Sequence, residues 1–124
     1  MSTPCMVAVK TEEGYLASYC HWDGYHDYMW PMLTENYNSE ELALKLVSMG
    51  DASSINKKLE PDTDHHSFNN PEPNVCIFYH RDRGDPWDFV RPELYKSEFK
   101  LAGLQAYVYV FQNGHWEELI CNEY

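Results

Sequence analysis

"QAYVYVFQNGHWEELIC", residues 105–121, is the stretch that most directly predicts a fold, because it has the pattern of a β-hairpin. Its first half alternates aliphatic with aromatic side chains, as a strand does when its two faces meet different surroundings. The alternating residues are Ala106, Val108 and Val110 on one face and Tyr107, Tyr109 and Phe111 on the other. Asn113 and Gly114 tolerate positive φ and favour a type I′ turn. We therefore predict one strand over 105–111 and a return strand over 116–121.

The segment 6–22 predicts a second hairpin. Residues 6–10 are a short apolar run, residues 11–14 (Thr-Glu-Glu-Gly) indicate a turn, and residues 15–22 return with β-favouring side chains. Asp23 and Gly24 then end the strand, because this dipeptide suits positive φ. The two hairpins supply four strands of the predicted sheet.

Helical patterns lie mainly between the two hairpins. Asn38 as the N-cap, with Glu41 three residues later and Gly50 as a stop, predicts a helix over 39–49. Its apolar positions are Leu42, Ala43, Leu46 and Val47. Residues 25–37 are predicted to be helical in part, with a start or kink near Trp30 because Pro31 lacks an N–H donor.

The remaining segments complete the predicted architecture. Residues 51–74 are rich in Ser, Asn, Asp and Pro and indicate a long loop, which in a compact domain is functional or mobile. Residues 75–79 (VCIFY) predict an apolar strand, and residues 92–104 are ambiguous, with a short helix as one reading. We predict a single domain over 1–124 of the α+β class. It has a mainly antiparallel sheet of about five strands, with one or two helices packed on one face.

Composition restricts the class of function. The chain has 124 residues, 44% of them apolar, and a formal net charge of −11. Such a charge repels a phosphate backbone, so we predict no generic DNA or RNA binding. The acidity serves solubility, or it forms a surface that mimics nucleic acid and is steered to a basic partner. No run of about 18 apolar residues and no basic leader occur, so we expect no membrane association.

The four cysteines are scattered, with no C-x-x-C pair. We predict that Cys5, Cys20, Cys76 and Cys121 are small buried hydrophobes. One disulfide stays open as an alternative, because Cys5 and Cys20 could meet across the first hairpin.

"YCHWDGYHDYMWP", residues 19–31, concentrates aromatic and titratable side chains around one glycine. His21, Asp23, His26 and Asp27 are metal-ligand types, but their spacing fits no known zinc motif, so we predict no metal and no cofactor. The chain holds more Trp and Tyr than one face of a small core needs. Exposed aromatic residues beside arginine are typical of a binding hot spot or a base-stacking slot, and filling of the sheet–helix interface is the alternative.

"HRDRGD", residues 80–85, alternates charge directly after the predicted strand 75–79. Arg81 and Arg83 could hold a phosphate or carboxylate bidentately, or they could form an internal ion-pair cluster with the nearby aspartates. The order His-Arg-Asp matches a protein-kinase loop, but the other kinase motifs are missing. We find no signature of a nucleophile or a paired acid and base, so we predict no catalytic residues and leave enzymatic activity open, with binding favoured.

The joint pattern of YCHWDGY, the helix 39–49 and YHRDRG resembles a family of small proteins of tailed phages and prophages. The resemblance covers roughly residues 6–90 and implies a phage origin and the cytoplasm of the bacterial host. The matching positions are His21, Trp22, Asp23, Gly24, Tyr25, His80, Arg81, Asp82, Arg83 and Gly84. All but the two glycines are our predicted binding residues.

These observations predict an inhibitor. Small acidic phage proteins without an enzymatic signature commonly block host defence, so the expected partner is a host defence protein or complex, such as a restriction or CRISPR system. A second hypothesis is a sponge that sequesters a nucleotide signal, with Trp22 and Tyr25 stacking a base and Arg81 and Arg83 holding phosphates. A third is a small hydrolase of such a ligand. The two ligand hypotheses require residues 19–25 and 80–84 to share one cleft.

Overall fold

A computed structural model describes residues 2–119. Within them, seven strands belong to one sheet, and five helices connect or cover the strands. The strands are β1 (Cys5–Thr11), β2 (Gly14–Cys20), β3 (Ala52–Ser54), β4 (Ile77–Phe78), β5 (Glu93–Tyr95), β6 (Tyr107–Gln112) and β7 (His115–Leu119). The helices are α1 (His26–Asn36), α2 (Glu40–Ser48), α3 (Tyr79–Arg83), α4 (Trp87–Val90) and α5 (Glu98–Ala102).

The sheet has the order β4-β3-β2-β1-β6-β7, and β5 adds to the outer edge of β2. Both predicted hairpins are present, as β1–β2 and β6–β7. Asn113 and Gly114 have φ of 57° and 85°, which confirms the predicted turn with two positive φ values. The α+β class and the mainly antiparallel sheet are confirmed. The expected number of strands was too low, and two neighbouring pairs, β1–β6 and β2–β3, are parallel.

Helices α1 and α2 cover one face of the sheet, as predicted. Met29 and Leu33 of α1 and Leu46 and Val47 of α2 are buried against sheet residues such as Tyr109. The opposite face is also covered in part, which corrects the prediction of helices on one face only. There, Leu101 of α5 packs on a second cluster of sheet residues, namely Met6, Ala8, Tyr15, Ala17, Val108, Val110 and Leu119.

The two main helices differ in detail from their predicted forms. Helix α2 is capped by Ser39 rather than Asn38, because the Ser39 hydroxyl accepts the N–H of Leu42 at 3.1 Å. Pro31 lies inside α1 rather than at its start. The carbonyl deprived of a partner by Pro31 belongs to Asp27 in the exposed first turn, where water can solvate it.

The segment from 51 to 83 departs most from the sequence prediction. Residues 52–54 form β3 inside the predicted loop, and the predicted strand 75–79 is shortened to Ile77–Phe78. Val75 makes only an isolated bridge to Lys58. The residues that follow β4 form the short helix α3, which ends at Gly84 with φ of 83°.

The three cysteines within residues 2–119 are buried and free. Cys5 and Cys20 lie directly opposite each other in the β1–β2 pair. The neighbouring Cys20 thiol and burial raise the pKa of the Cys5 thiol well above its ordinary value. Cys121 lies outside the described residues, as does the end of the predicted strand 116–121. Between residues 2 and 119, the helices are too short or too polar to cross a membrane.

Candidate functional site

The first predicted segment leaves the sheet at the end of β2. His21 and Trp22 extend the pairing with β3, since their N–H groups donate to the carbonyls of Ala52 and Ser53 at 3.0 Å. Gly24 then passes so close to β1 that a Cβ there would lie 2.5 Å from the Cβ of Cys5. The glycine of the motif is therefore required by packing, and it directs the chain into α1.

The side chains of this segment divide between the surface and local contacts. Trp22 and Tyr25 are exposed by 43% and 39%, and Asp23 is exposed beside them. His21 is tied to its own strand, because its Nδ1 is 2.8 Å from the Tyr19 hydroxyl. We name the exposed group the Trp22 surface, which consists of Trp22, Asp23, Tyr25 and Asp27.

The potential metal ligands of the same segment point to different partners. His21 contacts Tyr19, whereas the Nδ1 of His26 lies 2.5 Å from a carboxylate oxygen of Glu118 in β7. Within residues 2–119, no three His, Cys, Asp or Glu side chains are grouped as metal ligands would be.

The second predicted segment is built around Arg81 and Asp82. The Nε and Nη2 atoms of Arg81 donate to the two carboxylate oxygens of Asp82 at 2.8 and 3.0 Å. The remaining donors of Arg81 reach the carbonyls of Leu59 and Cys76 at 2.8 and 2.9 Å. The guanidinium is thus occupied by the protein itself and braces the segment that precedes β4.

Asp82 is almost fully buried, with 3% of its side chain exposed. Burial acts to raise the pKa of this carboxyl, but hydrogen bonds from Arg81 and from the Phe78 N–H outweigh it, and the pKa lies below its ordinary value. His66 approaches Asp82 at 3.3 Å through Nε2. The Nδ1 of His66 accepts the N–H of Glu72 at 2.9 Å, and its Nε2 also lies 3.2 Å from the Cys76 carbonyl oxygen.

Arg83 and His80 lie on the outer side of α3. The Nε and Nη2 atoms of Arg83 donate to both carboxylate oxygens of Asp85 at 2.8 and 2.7 Å. Its guanidinium also covers the Tyr79 ring at 4.4 Å. His80 lies beside the Asp85 carbonyl, 2.8 Å from its Nδ1. Arg83 is the more accessible of the two arginines, since 45% of its side chain is exposed.

The two predicted segments follow β2 and β4, which lie on either side of β3 in the sheet, and they do not bond to each other. No hydrogen bond or ion pair joins residues 21–25 to residues 80–83 in the described part of the chain. Ser53 and Tyr79 lie between them. The Ser53 carbonyl accepts from Trp22, and burial raises the pKa of Tyr79 while Ser53 and Arg83 nearby act to lower it. The four residues 80–83 mainly make internal contacts, as in the ion-pair alternative that the sequence left open.

A cleft on the second face of the sheet was missed by the sequence reasoning. It has a volume of about 250 Å³, and Asp51, Glu93 and Tyr95 are among its lining residues. Asp51 was assigned to a loop, and Glu93 and Tyr95 belong to the ambiguous segment 92–104. Local sequence held no signal for this cleft, because it exists only through the pairing of β5 with the distant strand β2.

Comparison of the chain with protein-family models, with curated proteins and with solved structures finds no significant match.

Proposed function

We propose that this protein is an inhibitory binding protein. It is encoded by a tailed phage and acts in the cytoplasm of the bacterial host, where it binds and blocks a defence protein or complex. The observation that carries the proposal is the Trp22 surface, in which exposed aromatic rings stand beside carboxylates. Neither Asp23 nor Asp27 has an ion-pair partner within residues 2–119.

The chemistry of this surface fits a basic protein surface better than a phosphate. Aromatic side chains supply large contact areas at low cost in conformational entropy, and they dominate binding hot spots. The net charge of −11 attracts a basic partner over long range and speeds association. A defence protein that binds nucleic acid has such a basic face.

A functional assay with matched variants tests this proposal. The protein is expressed in host strains that each carry one defined restriction or CRISPR system, and the plating efficiency of a targeted phage is measured. The test variant is Trp22→Ala/Tyr25→Ala. The control is Leu42→Ala/Leu44→Ala, because those leucines in α2 are exposed by 38% and 40%, close to the values for Trp22 and Tyr25.

We expect relief of one defence system, lost in the Trp22 surface variant and retained in the α2 variant. A purified complex of fixed stoichiometry with a component of that system would support the proposal further. Relief of none of the systems, or equal loss in both variants, would refute it.

Nucleotide sequestration is the second candidate, and it rests on the exposed guanidinium of Arg83 on Tyr79 alone. No hydrogen bond or ion pair in the described residues joins Trp22 and Tyr25 to this guanidinium, so the base-stacking role predicted for those two rings is not part of this candidate. A phosphate could compete with Asp85 for this guanidinium, whereas Arg81 is held by four internal hydrogen bonds. Calorimetry with cyclic and ADP-ribose-derived nucleotides tests this, with Arg83→Ala expected to abolish binding. Chromatography of the recovered ligand separates sequestration from hydrolysis, since a sponge returns its ligand unchanged.

A further inference from the structure

The cleft on the second face lies where the outer edge of β2 changes neighbours. Strand β5 pairs with β2 from Tyr15 to Ala17, and β3 pairs with it at Cys20. Between these two strands, the N–H of Tyr19 donates to the Asp51 side chain at 2.9 Å. The Asp51 carboxylate thus accepts the hydrogen bond that a neighbouring strand would otherwise accept, and the space beside this carboxylate forms the cleft.

The floor and walls of the cleft are apolar and aromatic. Met6 and Ala17 of the sheet form the floor, and both are buried. Tyr19 and Tyr95 are half-buried and contribute phenol rings to the lining. Phe89 lines the opening with 81% of its surface exposed. An occupant would therefore rest on buried apolar side chains and lie beside phenol rings.

The charges that line the cleft are mainly negative. Asp51, Asp88 and Glu93 contribute carboxylates, and Arg91 is the single cation among the lining residues. In the described part of the chain, none of these four side chains forms an ion pair. Burial raises the pKa of Asp51, as expected for a carboxylate that lacks a cation.

Elsewhere in the molecule, one guanidinium contacts both a phenol ring and a carboxylate. Arg83 covers the Tyr79 ring and donates two hydrogen bonds to Asp85. A planar guanidinium can stack on a phenol and still donate in its own plane to a carboxylate, which a lysine ammonium does less well. The cleft offers phenol rings and carboxylates in the same way, and its own Arg91 forms no ion pair with those carboxylates within the described residues.

We propose that the cleft binds an arginine side chain presented by a protein partner. The arginine stacks between Tyr19 and Tyr95 and donates to Asp51 and Glu93, while Phe89 contacts the partner around it. The protein nature of the partner rests on the proposed function, but the preference for arginine rests only on the cleft. Arg91 at the rim competes with the incoming guanidinium for the same carboxylates.

The experiment titrates the full chain with the peptide acetyl-Gly-Arg-Gly-amide and follows the methyl resonances of Met6 and Ala17 by NMR. Peptides with lysine or citrulline in place of arginine probe the need for a planar cation, since citrulline keeps the shape and lacks the charge. The test variant is Asp51→Asn/Glu93→Gln. The control is Glu60→Gln/Asp64→Asn, which changes the net charge equally at exposed positions of the 51–74 segment.

We expect saturable shifts at both methyl groups with the arginine peptide. Affinity should fall about tenfold or more in the test variant, stay unchanged in the control and rise in Arg91→Ala. Equal binding of the citrulline or lysine peptide, equal loss in both charge variants, or no shift at Met6 and Ala17 would overturn the proposal. If the protein inhibits no defence system, the cleft should still bind the arginine peptide. If the cleft does not bind the arginine peptide, the relief of host defence that depends on Trp22 should still be observed.

Discussion

Asp51 and Asp82 show how the presence of one cation determines the state of a buried carboxylate. Burial is the largest influence on both groups, and in each case it acts to raise the pKa. Asp82 is paired with Arg81 and ends with a lowered pKa, whereas Asp51 receives only the Tyr19 N–H and ends with a raised one. The two carboxylates must therefore affect stability in opposite directions as the pH changes.

The variant Asp51→Asn is expected to be more stable than the wild type at neutral pH. The amide oxygen still accepts from Tyr19, and the cost of burying a charge is removed. Because the folded pKa of Asp51 is raised, that cost is present above the folded pKa and disappears as the pH falls through it towards the unfolded value of about 3.9. Urea denaturation at neutral pH and at about pH 3 measures the difference, which should shrink on acidification.

Asp51→Ala provides the contrast, since it leaves the Tyr19 N–H without its acceptor and should cost about 1–3 kcal/mol. An Asn variant less stable than the wild type at neutral pH would contradict the assignment of a desolvation cost to this group.

Gly50 and Gly84 form a matched pair of left-handed glycines, with φ of 87° and 83°. A Cβ at Gly84 would contact no atom within 4 Å, so Gly84→Ala should cost about 1–2 kcal/mol from backbone strain alone. At Gly50 a Cβ would lie 2.5 Å from the Val90 carbonyl oxygen. Gly50→Ala should therefore cost clearly more, as measured by the shift in the midpoint of urea unfolding. Equal losses of stability at the two positions would show that the chain near Val90 shifts to accept the Cβ at no cost in free energy.

At the scale of elements, the long segment between β3 and β4 is held by specific contacts. Both carboxylate oxygens of Glu72 accept backbone N–H groups, from Asp62 and Thr63 at 3.0 Å. His66 and Arg81 then fasten the segment to the carbonyl of Cys76. The sequence predicted that this loop is functional or mobile. The contacts of Glu72, His66 and Arg81 hold it in a defined conformation.

Asp82→Asn is expected to loosen this segment. Removing the charge leaves Arg81 with a partly buried, unpaired guanidinium, for which about 3 kcal/mol of stability should be lost. The stabilisation by Asp82 is present above its unfolded pKa and is lost as the pH falls through the lowered folded pKa. Hydrogen exchange of residues 59–76 should accelerate in the variant.

Asp85→Asn is the control for Asp82→Asn, since it removes the carboxylate partner of the exposed Arg83. Exposed ion pairs contribute little to stability, so exchange of residues 59–76 should stay unchanged. If exchange were faster in the Asp85 variant alone, Arg83 and not Arg81 would be the arginine that braces the segment.

Local patterns predicted both hairpins and α2 because periodicity and turn residues act within a few positions. The helix α3 at residues 79–83 and the strand β5 were missed, since tertiary contacts stabilise such short elements. For the candidate site, sequence identified Trp22, Tyr25 and the arginines by residue type. It could not predict that Arg81 is occupied by Leu59 and Cys76, or that Asp51 fills a gap beside β2, because these contacts link distant segments.

At the scale of the whole molecule, excess negative charge is a long-range property that single contacts do not neutralise. The chain has 20 acidic residues against nine Lys and Arg. Several of these cations are already committed to neighbouring carboxylates, as Arg81 is to Asp82 and Arg83 is to Asp85. The field around the protein is therefore negative, which suits encounter with a basic partner and opposes compactness.

Added salt should therefore stabilise the fold. The Debye length falls from about 30 Å at 0.01 M ionic strength to about 3 Å at 1 M, so repulsion between distant carboxylates is screened before close ion pairs are. The free energy of unfolding in urea is expected to rise with NaCl. Glu60→Gln/Asp64→Asn, which removes two exposed negative charges, should raise stability at low salt and have little effect at high salt. A decrease in stability with salt would mean that attractive ion pairs, not net repulsion, dominate the electrostatics of the folded chain.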